Sequence, residues 1–150
     1  MLLSVQHNDT RTHSPSILKA LANRSLSLPE ADYLKLQEHL EAFEGTSHRG
    51  ATLLRYVLAN KLMNARPAVD MSDRDVVVGG SLVTYAIDSG ASYMGLLTHR
   101  ARAGASSGVI PVASLLGATL IGMRKGERAA LLCEDGSIAR LRVTYVNQSV

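Results

Sequence analysis

Histidine and cysteine are the residue types with the broadest chemistry, and their spacing in this chain matches no metal-binding or catalytic motif. The sequence contains one cysteine, Cys133, and five histidines: His7, His13, His39, His48 and His99. No two histidines have the HxxxH or HExxH spacing that places two ligands on one face of a helix. Cys133 follows an apolar run, where a cysteine acts as a small hydrophobic residue. We therefore predict no zinc site and no thiol nucleophile.

Serine nucleophiles and nucleotide loops are not indicated either. Ser114 lies outside any GxSxG motif. The pair Gly79-Gly80 precedes a predicted strand, but it has no GxxxxGK[ST] or GxGxxG context. The sequence therefore predicts neither an enzyme nor a cofactor, and no small-molecule substrate.

Two groups of carboxylates could bind a divalent cation. The first group is Asp70, Asp73 and Asp75, and the second is Glu38, Glu41 and Glu44. The aspartates lack the glycine and the final glutamate of a calcium loop, so we expect them to solvate a linker. The glutamates lie near the end of a predicted helix, where they could share a magnesium ion. We interpret them instead as an exposed helix face and predict no metal site.

Charge is distributed unevenly along the chain. The 16 Lys and Arg residues against 13 Asp and Glu give a formal charge of +3, which is only mildly basic. Acidic residues gather between Glu30 and Glu44, whereas the second half of the chain contains Arg100, Arg102, Arg124, Lys125, Arg128, Arg140 and Arg142. We predict a molecule with an acidic end and a basic end. Any contact with nucleic acid should be weak, non-specific and salt-dependent.

Length and composition limit the possible architectures. A chain of 150 residues with 46% hydrophobic residues suits one domain with a small appendage. No run of 18 apolar residues could cross a membrane, and the first residues do not resemble a secretory signal. With one cysteine, no internal disulfide can form. We expect a cytoplasmic protein with no membrane partner.

Helical periodicity occupies residues 26–66. A first amphipathic helix is indicated by Tyr33, Leu36, Leu40 and Phe43, with Ser27 and Glu30 as a capping box and Gly45 at its end. A second helix from about 48 to 65 is indicated by Leu54, Leu58 and Leu62, and Arg66-Pro67 ends it. Together they predict a short antiparallel coiled-coil hairpin, roughly 25 Å long at 1.5 Å per residue. Its tip would contain Glu41, Glu44, His48 and Arg49. We expect a flexible tail over 1–25 and a polar linker over 67–75.

From residue 76 onward the pattern is that of β-strands. Strands are predicted over 81–87, 93–99, 109–112, 129–133 and 138–146, with a short helix over 114–122. In the last strand, alternation places Leu141, Val143 and Tyr145 on one face. The fold class is therefore α+β, with the helical hairpin set apart from an antiparallel sheet.

The β region contains several runs that are typical of one protein family. These runs are DVVVGGSLVTYAID, GLLTH, GVIPVASLLGATLIGMRKGE and AALLCEDGSIARLRVTYV, and their most specific residues are Ile110, Val112, Leu120, Ile121, Gly122, Gly126 and Glu127. They resemble the C-terminal domain of the Gre transcript-cleavage factors. The resemblance implies an FKBP-like fold for 76–150. It also implies RNA polymerase as the partner, bound at the rim of the secondary channel.

The short hairpin is similar to that of the Rnk-type regulators of nucleoside diphosphate kinase, which combine a truncated hairpin with the same C-terminal domain. By resemblance, the polymerase contact centres on the segment around the short helix: Ser114, Leu115, Leu116, Gly117, Ala118 and Leu120. From charge alone we add His99, Arg100 and Arg102.

Resemblance and charge together predict polymerase binding without transcript cleavage. In Gre-type factors, cleavage depends on carboxylates at the tip of a longer hairpin. The turn here reads EGTSHR, with one acid and two potential cations. An alternative is a protein that acts directly on nucleoside diphosphate kinase. A prolyl isomerase is disfavoured because the chain has no Trp and one Phe, whereas ligand pockets generally use aromatic side chains.

Overall fold

The computed structural model describes residues 26–45, 49–100 and 108–148, with only the backbone of residue 49. The predicted tail over 1–25, His48 and Arg102 lie outside the described residues, as does the side chain of Arg49. The elements in chain order are β1 (Leu26–Pro29), α1 (Glu30–Ala42), α2 (Arg49–Asn64), β2 (Ala65–Ala68), β3 (Leu82–Ile87), β4 (Ser92–Thr98), β5 (Val109–Pro111), α3 (Leu115–Leu120), β6 (Arg128–Leu132) and β7 (Ile138–Asn147). No helix in the described ranges is long and apolar enough to span a membrane.

The base of the hairpin is closed by two short parallel strands. β1 pairs with β2 in the register Leu26↔Ala65 to Pro29↔Ala68. The capping box predicted at Ser27 and Glu30 is therefore wrong, since Ser27 lies within a strand and Pro29 occupies the N-cap position without a side-chain cap bond. Strand pairing supplies the backbone partners there, and the φ of Pro29 suits an extended residue before a helix. At the other end of α1, Gly45 has a φ of +80°, as a glycine that ends a helix often does.

The main sheet has five strands in the order β5-β4-β3-β7-β6. The α+β class is confirmed, but the sheet is mixed because β5 pairs with β4 in parallel. Every other pairing in this sheet is antiparallel. β4 ends at Thr98 and β5 begins at Val109, which leaves ten residues for the return that a parallel neighbour requires.

A β-bulge changes the faces of the last strand. Thr84 of β3 pairs with Tyr145, whereas the next residue, Tyr85, pairs with Val143, so Thr144 is the extra residue. The predicted alternation is therefore wrong at Tyr145, which is 51% exposed, and Val146 is buried in its place. The bulge thus exposes an aromatic ring on the outside of the sheet.

One hydrophobic core joins the hairpin to the sheet. Side chains from the hairpin pack in the same cluster as side chains from the sheet and from α3; the fully buried ones include Leu28, Leu36, Leu58, Leu97, Leu120 and Leu141. The hairpin was predicted to be set apart from the sheet, and the structure instead gives them a common core. The reason is that the apolar stripe of each short helix is best removed from water against the sheet and α3.

The linker between hairpin and sheet is tied to the loop that follows α3. Asp73 forms an ion pair with Arg124, and its carboxylate also accepts a hydrogen bond from the backbone N–H of Asp75 at 3.0 Å. That backbone bond, followed by Arg124, lowers the pKa of Asp73. Of the three linker aspartates, Asp73 therefore has a structural contact as well as a solvating role.

Candidate functional site

The site begins at the segment that the sequence assigned to polymerase contact. Ser114 is the N-cap of α3, and its hydroxyl Oγ accepts from the backbone N–H of Gly117 at 3.0 Å. The same hydroxyl donates to the carbonyl oxygen of Pro111 at 2.7 Å. Ser114 therefore starts the helix at a fixed distance from the end of β5.

Gly117 brings α3 very close to the backbone of β5. A Cβ at this position would lie 1.9 Å from the carbonyl oxygen of Pro111, so no larger residue fits without moving the helix. Gly117 is buried, as are Ala118, Thr119 and Leu120. Gly117, Ala118 and Leu120 were predicted as polymerase contacts, and in the structure they are buried residues that position the helix. Leu115 and Leu116 are only partly buried and pack at the edge of the core.

A lysine of the hairpin holds the other end of α3. Nζ of Lys61, in the last turn of α2, donates to the carbonyl oxygen of Thr119 at 2.9 Å. A cation near the last carbonyl groups of a helix is favourable, because those groups lack partners within the helix. Burial lowers the pKa of Lys61 to about 8, and the nearby Glu127 partly opposes this effect. α3 is thus fixed by β5 at its start and by α2 at its end.

A chain of polar side chains crosses from α1 to the end of β4. Asp32 Oδ1 lies 2.7 Å from Nε2 of His99, and Nδ1 of His99 lies 3.0 Å from Nε2 of His39. The Asp32 carboxylate also accepts from the backbone N–H of Gly79 at 3.2 and 3.3 Å. The two imidazole rings are stacked, with centroids 5.2 Å apart. These residues link the hairpin to two separate loops at one end of the sheet.

The hydrogen bonds assign the protons of this chain when both histidines are neutral. An ionised carboxylate can only accept, so Nε2 of His99 donates to Asp32. Nδ1 of His99 then has the lone pair and accepts from Nε2–H of His39. Burial lowers the pKa of His39, and the neighbouring His99 lowers it further. If both rings were positively charged, Nδ1–H of His99 and Nε2–H of His39 would point at each other, and neither could accept.

Sequence reasoning found His99 from its charge but missed Asp32 and the contact with His39. His99 was predicted as a surface contact, and its side chain is mostly buried in this chain of bonds. A signal for Asp32 was present in the sequence. Asp32 stands four residues before Leu36 and seven before His39, and this spacing places all three on one helix face. A carboxylate on the apolar face of a helix indicates a polar partner across the interface.

A groove lies beside this chain of bonds, between α1 and the end of β4. Its lining residues are Lys35, Glu38, His39, Gly80, Thr98, His99 and Arg100. Arg100 is exposed at its rim, and Lys35 pairs with Glu38 at 3.5 Å. Within the described ranges, no group of three His, Cys, Asp or Glu side chains could bind a metal ion. The groove therefore offers charged groups of both signs for contact with a partner.

The hairpin tip lies at the far end of α1. Glu41 and Glu44 are exposed, and the backbone N–H of Glu44 donates to the carbonyl oxygen of Glu41 at 3.1 Å. Phe43 between them is only partly exposed and packs against the core cluster. Glu38 faces Lys35 and not the tip. The hairpin tip therefore has two exposed carboxylates, Glu41 and Glu44, and Glu38 pairs with Lys35 further back on α1.

This arrangement of hairpin, curled sheet and short helix is found in a solved structure. The prokaryotic transcription elongation factor GreA/GreB from Nitrosomonas europaea matches 82% of this chain and 99% of its own, with 20% sequence identity and a TM-score of 0.56. The chain has the Gre-factor fold. This confirms the fold that the β region indicated by its resemblance.

Two further structures with the Gre-factor name are less similar. Gfh1 from Thermus aquaticus is 18% identical with a TM-score of 0.41, and it matches 83% of this chain and 99% of its own. Gfh1 of Thermus thermophilus is 19% identical with a TM-score of 0.39 over the same shares. No protein-family model matches the sequence, and no curated protein is similar enough to match.

Proposed function

We propose that this chain is a transcription elongation regulator that binds RNA polymerase. The observation that carries the proposal is the Gre-factor fold, which this chain has in common with a described transcription elongation factor over 82% of its length. A fold does not by itself specify a function, so the proposal also depends on the surfaces that this chain offers.

The proposed docking surface is the exposed part of the site around α3 and the groove. Leu115 and Leu116 lie at the start of α3, where solvent still reaches them, and Arg100 lies at the rim of the groove. The buried residues below, from Gly117 to Leu120, keep this surface in place. We propose that it contacts the polymerase at the rim of the secondary channel, with the hairpin directed inward.

We further propose that the bound protein stimulates no transcript cleavage. α1 has 13 residues and α2 has 16, which corresponds to roughly 20 and 24 Å at 1.5 Å per residue. Metal-assisted hydrolysis needs carboxylates that hold the ion beside the reacting water. The two exposed tip carboxylates, Glu41 and Glu44, are on a short hairpin and have the Lys35–Glu38 pair behind them. We expect occupancy of the channel without catalysis.

Polymerase binding is tested with purified core RNA polymerase and the full chain. We expect Arg100→Glu to weaken co-purification at low salt, because it reverses a charge at the proposed contact. Arg66→Glu makes the same change on the exposed strand β2, outside the proposed contact, and should leave binding unchanged. No retention of the unaltered chain at micromolar concentration would refute the proposal. Stoichiometric binding to purified nucleoside diphosphate kinase instead would favour the alternative class.

The non-catalytic part is tested on stalled transcription complexes. The full chain should leave the RNA at its original length and should reduce the effect of an added cleavage factor. If the chain shortened the RNA, and Glu44→Gln abolished the shortening, the non-catalytic proposal would be wrong while polymerase binding would stand.

A further inference from the structure

The outer face of the main sheet, opposite the core, combines basic side chains with an exposed tyrosine. On this face Arg128 of β6 and Arg142 of β7 are direct cross-strand partners. Arg140 lies two residues earlier on the same strand and therefore on the same face. All three are exposed. We call this set, together with Lys125 and Tyr145, the outer basic face.

Tyr145 joins this face because of the β-bulge at Thr144. Its ring is 51% exposed, and Nζ of Lys125 lies 5.8 Å from the ring centroid. Across the sheet, Thr84 separates Tyr145 from Met94, which is 60% exposed. The ring of Tyr145 therefore lies between basic side chains and the row formed by Thr84 and the exposed Met94.

The arginines of this face have no acidic partner within the described residues. No carboxylate there forms an ion pair with Arg128, Arg140 or Arg142. Like charges directly opposite each other in a sheet are destabilising, so the pair Arg128–Arg142 costs stability that a bound anion would restore.

Three nearby acidic residues have other contacts. The carboxylate of Glu127 interacts with the charge of Lys61 in the hairpin. Asp88, at the end of β3, accepts from the backbone N–H of Arg140 at 3.0 Å. Asp135 accepts from Ser137 inside the turn between β6 and β7.

We propose that the outer basic face binds single-stranded RNA without sequence preference. Sites for single strands combine basic groups that follow the phosphates with aromatic rings on which unpaired bases stack. Lys125, Arg128, Arg140 and Arg142 provide the first property and Tyr145 provides the second. A duplex keeps its base faces covered, so the exposed ring favours a single strand. An acidic protein segment would use the cations but would leave the ring without a stacking partner.

The choice of RNA over DNA rests on the proposed function. A protein bound to RNA polymerase lies beside a single-stranded RNA product. Binding by the free chain does not require polymerase, so the two proposals can fail separately. The outer basic face also lies apart from the docking surface around α3.

The test is a fluorescence anisotropy titration of the full chain with a labelled oligouridine of about twelve nucleotides, within the usual site size. At physiological salt we expect a dissociation constant of roughly 1–100 µM, which is the range of non-specific binding, and tighter binding at about 50 mM salt. The double variant Arg128→Ala/Arg142→Ala should reduce the salt slope, d log K/d log salt, by about 1.4, since each lost phosphate contact removes about 0.7. The matched control Arg55→Ala/Arg66→Ala removes the same charge from α2 and β2 of the hairpin and should not change the slope.

The stacking part is tested at Tyr145. Tyr145→Ala should weaken oligouridine binding roughly tenfold, and Tyr145→Phe, which keeps the ring, should bind like the unaltered chain. Circular dichroism melting of each variant shows that the fold is intact. Several results would overturn the proposal: no binding at low salt, equal loss in the control double variant, no effect of Tyr145→Ala, or tighter binding of duplex, oligodeoxythymidine or polyglutamate than of oligouridine.

Discussion

The Asp32 carboxylate in the first turn of α1 lies 2.7 Å from Nε2 of His99, which directly follows β4. The two residues are 67 positions apart in the chain, and both side chains are largely buried. Together with His39 and the backbone N–H of Gly79, this contact forms a polar link between the hairpin and the sheet beside their common apolar core. It fixes the position of α1 relative to the end of β4.

Removal of the Asp32 carboxylate should destabilise the fold. Asp32→Ala leaves the backbone N–H of Gly79 and Nε2–H of His99 without their acceptor, and an unsatisfied buried donor costs about 1–3 kcal/mol. Asp32→Asn keeps one oxygen acceptor and should cost less. Urea unfolding monitored by circular dichroism measures both. A free energy of unfolding for Asp32→Ala within about 0.5 kcal/mol of the unaltered chain would contradict this role.

Acid should weaken the fold through His39. Its pKa is lowered from the usual 6.5, so the folded state takes up this proton less readily than the unfolded state. The contribution of neutral His39 to the free energy of unfolding is fully present above pH 6.5, and it is lost as the pH falls through the lowered pKa. His39→Gln removes this titration. The stability of the unaltered chain relative to His39→Gln should therefore decrease between pH 7 and pH 5 and stay constant above pH 7. A difference in unfolding free energy that stays constant from pH 5 upward would contradict this role of His39.

A rise in pH should strengthen the fold through Lys61. Its pKa is lowered to about 8 from 10.5, so the unfolded state binds more protons between these values. Stability from this residue is lost as the pH falls through 8 and is fully present above 10.5. Relative to Lys61→Met, which cannot titrate, the unfolding free energy of the unaltered chain should rise by at most about 3 kcal/mol between pH 8 and pH 10.5. Denaturant unfolding of both chains at matched pH values measures the difference, and a flat difference would refute the assignment.

The contact between α3 and β5 should tolerate no side chain at Gly117. Gly117→Ala places a Cβ 1.9 Å from the Pro111 carbonyl oxygen, which is a rigid backbone atom. We expect a loss of more than about 3 kcal/mol or failure to fold, as for severe overpacking. Ser114→Ala removes the N-cap hydrogen bond from Gly117 and the hydrogen bond to the Pro111 carbonyl oxygen, and it should cost about 1–2 kcal/mol. Thermal unfolding compares the two variants, and equal melting temperatures would show that α3 moves freely away from β5.

Much of the fold could be predicted from local pattern. The spacing of Leu54, Leu58 and Leu62 predicted a helix over 48–65, and the helix occupies 49–64. Asp135-Gly136 predicted the last hairpin turn, where Gly136 has a φ of +91°. These features depend on the backbone preferences of a few neighbouring residues, so the sequence contains them directly. The resemblance of the β region added the overall fold, which the structural match confirms.

The candidate site was only half predicted, since several of its properties depend on residues far apart in the chain. The sequence by itself determined the two hairpin helices, the five strands of the main sheet, the short helix α3 and the basic second half. Only the tertiary structure placed Asp32 against His99, buried Gly117 under Pro111, and paired β1 with β2 in parallel. It also put one extra residue into β7, which moved Tyr145 from the core to the outer face. The physical reason is that burial, register and bulges are settled by which distant surfaces pack together, whereas periodicity reports only what each segment favours alone.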